Sequence, residues 1–287
     1  MVRLQGWFQK YNAWSYTKHR LWNDCKRAYY FNYIGAALQD SIDIDVAEIK
    51  KLKKLDGRFI VQGKIIHEIV EKYIKTYQNS GIINEKHIQD EYIRQIEQFR
   101  TLATTKIVEY FNGAQISQFF FDKIRENGLD QLSLFWGAIW PQISSLQYLR
   151  HEQFDNFYID ETKAIVKVDY VCKSSDGKVL IYDWKTGLDN DEYESDLQVG
   201  AYALWASLHY QIAPETIECN LVYLTSGSIK PFQFTVEDFE TFKSLIKFDF
   251  EEMNSSYEIN QFPPSPSEKK CLGCQFATIC DAAVLGI

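Results

Sequence analysis

The pattern of hydrophobic and polar positions changes character near residue 150. Upstream, apolar residues recur at helical spacing. Residues 12–38 mix aromatic and basic side chains in a mostly helical pattern. A clearer helix covers about 58–78, where Ile66, Ile69, Val70, Tyr73 and Tyr77 follow helical spacing and Asn79-Ser80-Gly81 stops it. Residues 85–150 read as largely helical, with little Gly or Pro, no internal repeat and no recognisable chemistry.

Downstream, over about 151–184, the period falls to two. Ala164, Val166, Val168, Tyr170 and Cys172 share one face, and Ile165, Lys167, Asp169 and Val171 the other. Ser174-Ser175-Asp176-Gly177 then separates this run from Lys178–Trp184, which predicts a β-hairpin. A helix is expected over about 192–209 and strands over about 217–224 and 229–234. Thr235-x-x-Asp238 has the form of a capping box and opens a helix to about 256. The Pro-rich stretch Phe262–Pro266 follows. Strand, strand, helix and strand with flanking helices predict an α/β fold, a mixed sheet covered by helices.

The hairpin also fixes a register. A three-residue loop of Ser175, Asp176 and Gly177, with Gly in the left-handed position, pairs Ser174 with Lys178. Followed back along the ladder, this opposes Asp169 and Asp183, whose Cβ atoms would lie ~4.5–5.5 Å apart. Lys185 points to the same side as Asp183. Two carboxylates so placed repel unless a cation lies between them. Two carboxylates and a lysine suit phosphodiester hydrolysis, with Mg²⁺ or Mn²⁺ held by the acids and the lysine acting on water and phosphate. An Asp-x-Lys tripeptide by itself is common in any sequence.

Composition limits the alternatives. The chain has 287 residues, 46% hydrophobic and 15% aromatic, which excludes disorder as its main state. No apolar run reaches the ~18 residues of a membrane span, and the start lacks a secretory apolar core, so a cytoplasmic protein is expected. Net charge is −8, unevenly spread. Residues 1–30 carry Arg3, Lys10, Lys18, Arg20, Lys26 and Arg27 against Asp24, and Lys50, Lys51, Lys53 and Lys54 form a second basic run. Acids crowd at Asp189, Asp191, Glu192, Glu194 and Asp196.

Of six cysteines, Cys172 and Cys219 sit in strand-like runs and read as small buried hydrophobes. Cys271-x2-Cys274-x5-Cys280 instead has the spacing of thiolate metal ligands.

Val168-Asp169 followed by Ile181-Tyr-Asp183-Trp184-Lys185-Thr-Gly187 resembles the core motif of the PD-(D/E)XK nucleases, in the form used by their RecB-like branch. Gly63-x3-His67 and Gln198-x3-Tyr202 match that branch's flanking motifs. Cys25, with Cys271, Cys274 and Cys280, fits its iron–sulfur members, which include the CRISPR-associated Cas four exonuclease and helicase-linked RecB-type domains. The resemblance runs from residue 25 to 280, with the motifs in family order.

It implies a restriction-endonuclease-like core whose N- and C-terminal segments are joined by an iron–sulfur clasp. The expected organisation is a mainly helical part (1–150), a nuclease core (151–260) and a cysteine clasp (261–287) forming one unit with 1–40. The implied metal ligands are His67, Asp169, Asp183 and the Trp184 carbonyl. Gln198 and Tyr202 would brace the carboxylates, contact the phosphate or simply pack. Glu152 stands where some members place another acid and is left outside the expected site.

The four cysteines would hold a [4Fe–4S] cluster, with zinc as the alternative. By analogy with a single covalent crosslink, closing so long a loop stabilises on the order of 5 kcal/mol. Near the clasp, Trp7, Phe8, Lys10, Tyr11, Trp14, Tyr16, Lys18, Arg20 and Trp22 would either stack single-stranded bases or form a core stripe. The implied activity is metal-dependent DNA cleavage, as an exonuclease on single-stranded ends. Structure-specific endonuclease action, or a non-catalytic DNA-binding scaffold, are the alternatives. With no Walker-type phosphate loop, unwinding would fall to a helicase or CRISPR adaptation partner.

Overall fold

Residues 12–37, 45–189 and 196–286 are described by the structure, a computed structural model. They fall into two units, one within residues 12–16, 66–92 and 126–254 and the other within residues 17–65, 93–125 and 255–286. The stacking rings expected at Trp7, Phe8 and Tyr11, and the acids from Asp191 to Glu194, lie outside the described residues.

The first unit is built on five strands in the order β1-β2-β3-β4-β5: Gln147–Ile159, Thr162–Lys173, Val179–Lys185, Ile217–Tyr223 and Ile229–Gln233. Only β3 and β4 run parallel, so the sheet is mixed, as expected. The β2–β3 turn follows the predicted register: Gly177 has φ +92°, Ser174 N donates to Lys178 O, and the ladder runs back to Tyr170↔Tyr182. Asp169 and Asp183 are the next residues in that register.

The pattern upstream is where expectation and structure part. The helical pattern of 85–150 gives way to β1 already at Gln147, and residues 151–184 hold three strands rather than one hairpin. The β1–β2 turn escapes a search for Gly because Asp160 itself takes the left-handed conformation, at φ +51°. Asp is among the few side chains that tolerate it.

Alternation puts Tyr170, Tyr182 and Trp184 on one face of the sheet. Trp140 packs 5.6 Å from Tyr170, and Phe135 5.0 Å from Trp184, ring centre to ring centre. The other face, carrying Asp169, Asp183 and Lys185, is covered by the helix Asp196–Tyr210. That helix is nearly all buried from Leu197 to Ala206. Gly200 is required there by close approach, since a Cβ would lie 2.5 Å from the Phe242 ring. Phe242 belongs to the helix Val236–Met253, which opens with the predicted Thr235–Asp238 capping box. Cys172 and Cys219 are buried, as expected of small core residues.

The second unit brings the N-terminal helix Tyr16–Asp24 together with the C-terminal turns. Trp22 packs edge-on against Tyr29 and Phe262. Arg27 ties the segments further, donating to Phe262 O and pairing with Asp281 at 2.7 Å. Of the aromatic residues with two readings, base stacking or a core stripe, Trp22 in this unit and Trp14 in the first are both buried. For these two the core-stripe reading holds.

Candidate active site

His67 lies on the helix Arg58–Ser80, Glu152 on β1, Asp169 on β2 and Asp183 to Lys185 on β3. His67, Asp169, Asp183, Trp184, Lys185, Gln198 and Tyr202 all meet within the first unit, as two linked groups.

The first group is His67, Glu152 and Asp169, whose nearest donor atoms lie within 4.8 Å of one another. His67 Nε2 is 3.0 Å from the Trp184 carbonyl oxygen. A carbonyl only accepts, so this hydrogen bond needs the proton on Nε2. Nδ1 then faces Glu152 Oε1 at 3.2 Å and Asp169 Oδ1 at 3.3 Å. A neutral ring would turn a lone pair on two acidic oxygens. The arrangement calls for positive charge at that point, either a second proton on the ring or a bound cation. Burial would lower the imidazole, but the Asp169 and Glu152 carboxylates outweigh it and hold it well above the usual histidine range. Burial pushes the Asp169 carboxyl up, against the pull of His67 and with the push of Asp183. Asp169 Oδ2 accepts the Trp184 N–H at 2.7 Å, which fixes its rotamer.

The second group is a closed circuit. Lys185 Nζ pairs with Asp183 Oδ2 at 2.8 Å and donates to Gln198 Oε1 at 2.9 Å. Gln198 Nε2 donates to the Tyr202 hydroxyl at 2.9 Å, and that hydroxyl donates to Asp183 Oδ1 at 2.9 Å. Burial, reinforced by the Asp183 and Asp169 charges, drives the Tyr202 phenol far up, so it stays a donor. One helical turn between Gln198 and Tyr202 is what lets a single amide join the lysine to the phenol.

Glu152 is the site residue that the sequence motifs left out. It is buried, meets His67 through one oxygen and Lys167 Nζ through the other, and has φ +38°. A left-handed glutamate in mid-strand costs about 1–3 kcal/mol and persists only where its surroundings hold it. The expected ligand set named Asp183 where the geometry brings Glu152 closest to His67 and Asp169, while Asp183 is held by Tyr202 and Lys185.

Carboxylate oxygens with one imidazole are a donor set suited to Mg²⁺ or Mn²⁺, and the charge demand at His67 Nδ1 fits a cation there.

In the second unit, Cys25, Cys271, Cys274 and Cys280 line a common cavity of about 230 Å³ with Phe31, Leu55 and Ile60. Successive tight turns aim the C-terminal three: Cys274 N donates to Cys271 O, and Cys280 N to Ala277 O. The buried Asn112 side-chain amide reaches the carbonyls of Cys271, Leu272 and Cys274 at 2.9–3.2 Å. It lies in the stretch whose sequence offers no chemistry. Burial pushes the Cys274 thiol up to about 11, and the other three cysteines add to it. Burial also pushes the Cys280 thiol up, and a cavity lined by four cysteines fits a group that brings its own positive charge.

A family model for the PD-(D/E)XK nuclease superfamily matches residues 13–281. No curated protein matches the chain. Among solved structures, a "Putative exonuclease" from Eubacterium rectale is similar at 9% identity, over 99% of this chain and 92% of that one, with a TM-score of 0.44. A protein named SSO0001 is similar at 14% identity, over 67% of this chain and 81% of that one, with a TM-score of 0.31.

Proposed function

Because this chain belongs to the PD-(D/E)XK nuclease superfamily, we propose that it is a metal-dependent deoxyribonuclease that degrades single-stranded DNA from its ends. The observation that carries the reading is the His67 ring, whose Nδ1 faces two carboxylates and calls for positive charge, which a bound cation would supply. Mg²⁺ or Mn²⁺, held by His67, Asp169, Asp183 and Glu152, would supply Lewis acidity toward the phosphoryl oxygen and lower the pKa of water, while the Trp184 carbonyl, expected as a further ligand, accepts from His67 Nε2 instead.

The protein's own groups do the rest. Trp184 N–H and the Tyr202 hydroxyl hold Asp169 and Asp183 in fixed rotamers. Lys185 orients the attacking water and offers positive charge to the phosphate. Gln198 holds the lysine beside Asp183 while spending its other end on Tyr202.

The preference for ends rests on the RecB-like motif set. Incubation with Mn²⁺ is expected to shorten a labelled linear single strand progressively, leave a circular single strand intact, and stop on adding EDTA. Cutting of the circle would replace the exonuclease reading with the endonuclease one. Binding without cleavage under any divalent metal would leave a scaffold subunit. RNA strands run beside DNA would settle the sugar preference. We place the protein in the cytoplasm, with unwinding supplied by a helicase or CRISPR adaptation partner.

The cysteine cavity belongs to the same proposal, as the seat of a [4Fe–4S] cluster that joins the N- and C-terminal segments. Protein purified without oxygen is expected to be brown, with about four irons per chain. Cys25→Ser is expected to lose the iron and melt at a lower temperature. Stoichiometric zinc without iron would select the zinc alternative. A Cys25→Ser protein that kept its iron and its melting temperature would remove Cys25 from the ligand set.

A further inference from the structure

Phe154 on β1 is 75% exposed, a whole phenyl ring left in water on the strand that also holds the buried Glu152. Its direct partner across the ladder is Lys167. Lys167 Nζ lies 5.8 Å from the centre of the Phe154 ring and reaches Glu152 Oε2. Glu152 in turn meets His67. Ring, ammonium, carboxylate and imidazole thus form one unbroken line from solvent to the carboxylate cluster. The lysine side chain is 40% exposed and has three N–H donors, so its bond to Glu152 leaves donors for another anion.

We propose that Phe154 and Lys167 form a nucleotide subsite, in which an unpaired base of a single-stranded nucleic acid stacks on the Phe154 ring while Lys167 Nζ meets the adjoining phosphate. The inference rests on the nuclease reading above and deepens it, because it gives a physical source for selection of single strands. Every base has a π-face, so stacking on one ring is tolerant of sequence. Bases inside a duplex have both faces covered and offer nothing to the ring. The charge fits as well. The carboxylates beneath would repel a polyanion, and Lys167 stands between them and the solvent. A hydrophobic protein partner would gain the ring but would have to bury the lysine beside it.

The test separates the base from the backbone. Binding of the full chain to a fluorescein-labelled single strand is followed by anisotropy in Ca²⁺, alongside the same strand with abasic sites and a blunt duplex. Phe154→Ala is expected to weaken binding of the normal strand about tenfold, the size of one base stack. It should leave the abasic strand and the duplex unaffected. Phe154→Trp should restore affinity for the normal strand. The melting temperature of Phe154→Ala should equal that of wild type, since the ring is exposed. Equal losses on normal and abasic strands, or no loss on either, would overturn the subsite. The binding arm needs no turnover. A base-dependent loss in Phe154→Ala, beside a wild-type protein that never cleaves, would sink the nuclease reading and leave the subsite standing.

Discussion

Asp183→Asn is expected to lower cleavage in Mg²⁺ or Mn²⁺ by about 10³-fold or more while the protein melts at or above the wild-type temperature. The first half follows from charge. Asparagine keeps the shape and leaves an oxygen to accept from Tyr202, but removes the negative charge of a proposed ligand. The second half follows from the neighbours. Asp169 and Asp183 are both buried, and Asp183 is one of the groups pushing the Asp169 carboxyl upward. Without metal, removing one of two facing buried carboxylates relieves repulsion. Lys185 stays hydrogen-bonded to Gln198 and is partly exposed, so it is not stranded. Rate and melting temperature moving in opposite directions is the signature of a site residue rather than a packing residue. Turnover at the wild-type rate would remove Asp183 from the chemistry, and a fall in both quantities would show that the substitution acts through the fold.

Much of this site is legible in the sequence, and the reason is local. The β2–β3 register depends on a turn with a glycine at the one position that needs a positive φ, and Gly177 takes it. From that point counting residues is enough to bring Asp169, Asp183 and Lys185 to one face. The Gln198–Tyr202 pair is legible for a similar reason, since a helix puts residues four apart side by side. Glu152 is not legible from the local pattern, although the resemblance marks its position as one where some members place an acid. Its strand begins inside a stretch with a helical pattern, its turn lacks glycine, and its own φ breaks the alternation that marks a strand. Only the arrival of His67 and Lys167, distant in sequence, makes that conformation tolerable. Asn112 is hidden in the same way, because an amide that serves three carbonyls of a distant turn leaves no local pattern. Trp14 and Trp22 are left open by the sequence, between a stacking surface and a core stripe. A stripe of rings among cations has the composition of a stacking surface, and burial alone shows that these two rings are packed inside.

Lys185 offers the sharpest separation of binding from chemistry. Lys185→Met keeps an unbranched chain of similar length and removes the charge. The lysine now holds Asp183 Oδ2 and Gln198 Oε1. Its loss frees an oxygen of Asp183, a proposed metal ligand, and removes a cation that competes for it, so Mn²⁺ binding is expected to hold or tighten. Cleavage at saturating Mn²⁺ should nonetheless fall by about 10²–10⁴-fold, the usual cost of removing a group that positions water and stabilises charge on a phosphate. Gln198 loses its donor from the lysine, but its amide still donates to Tyr202, so the hold on Asp183 should survive. Titration with Mn²⁺ followed by rate measurement at saturation resolves the two quantities. Weakened metal binding with a normal saturated rate would make the lysine a support for the metal site, and the assignment to water and phosphate would be wrong.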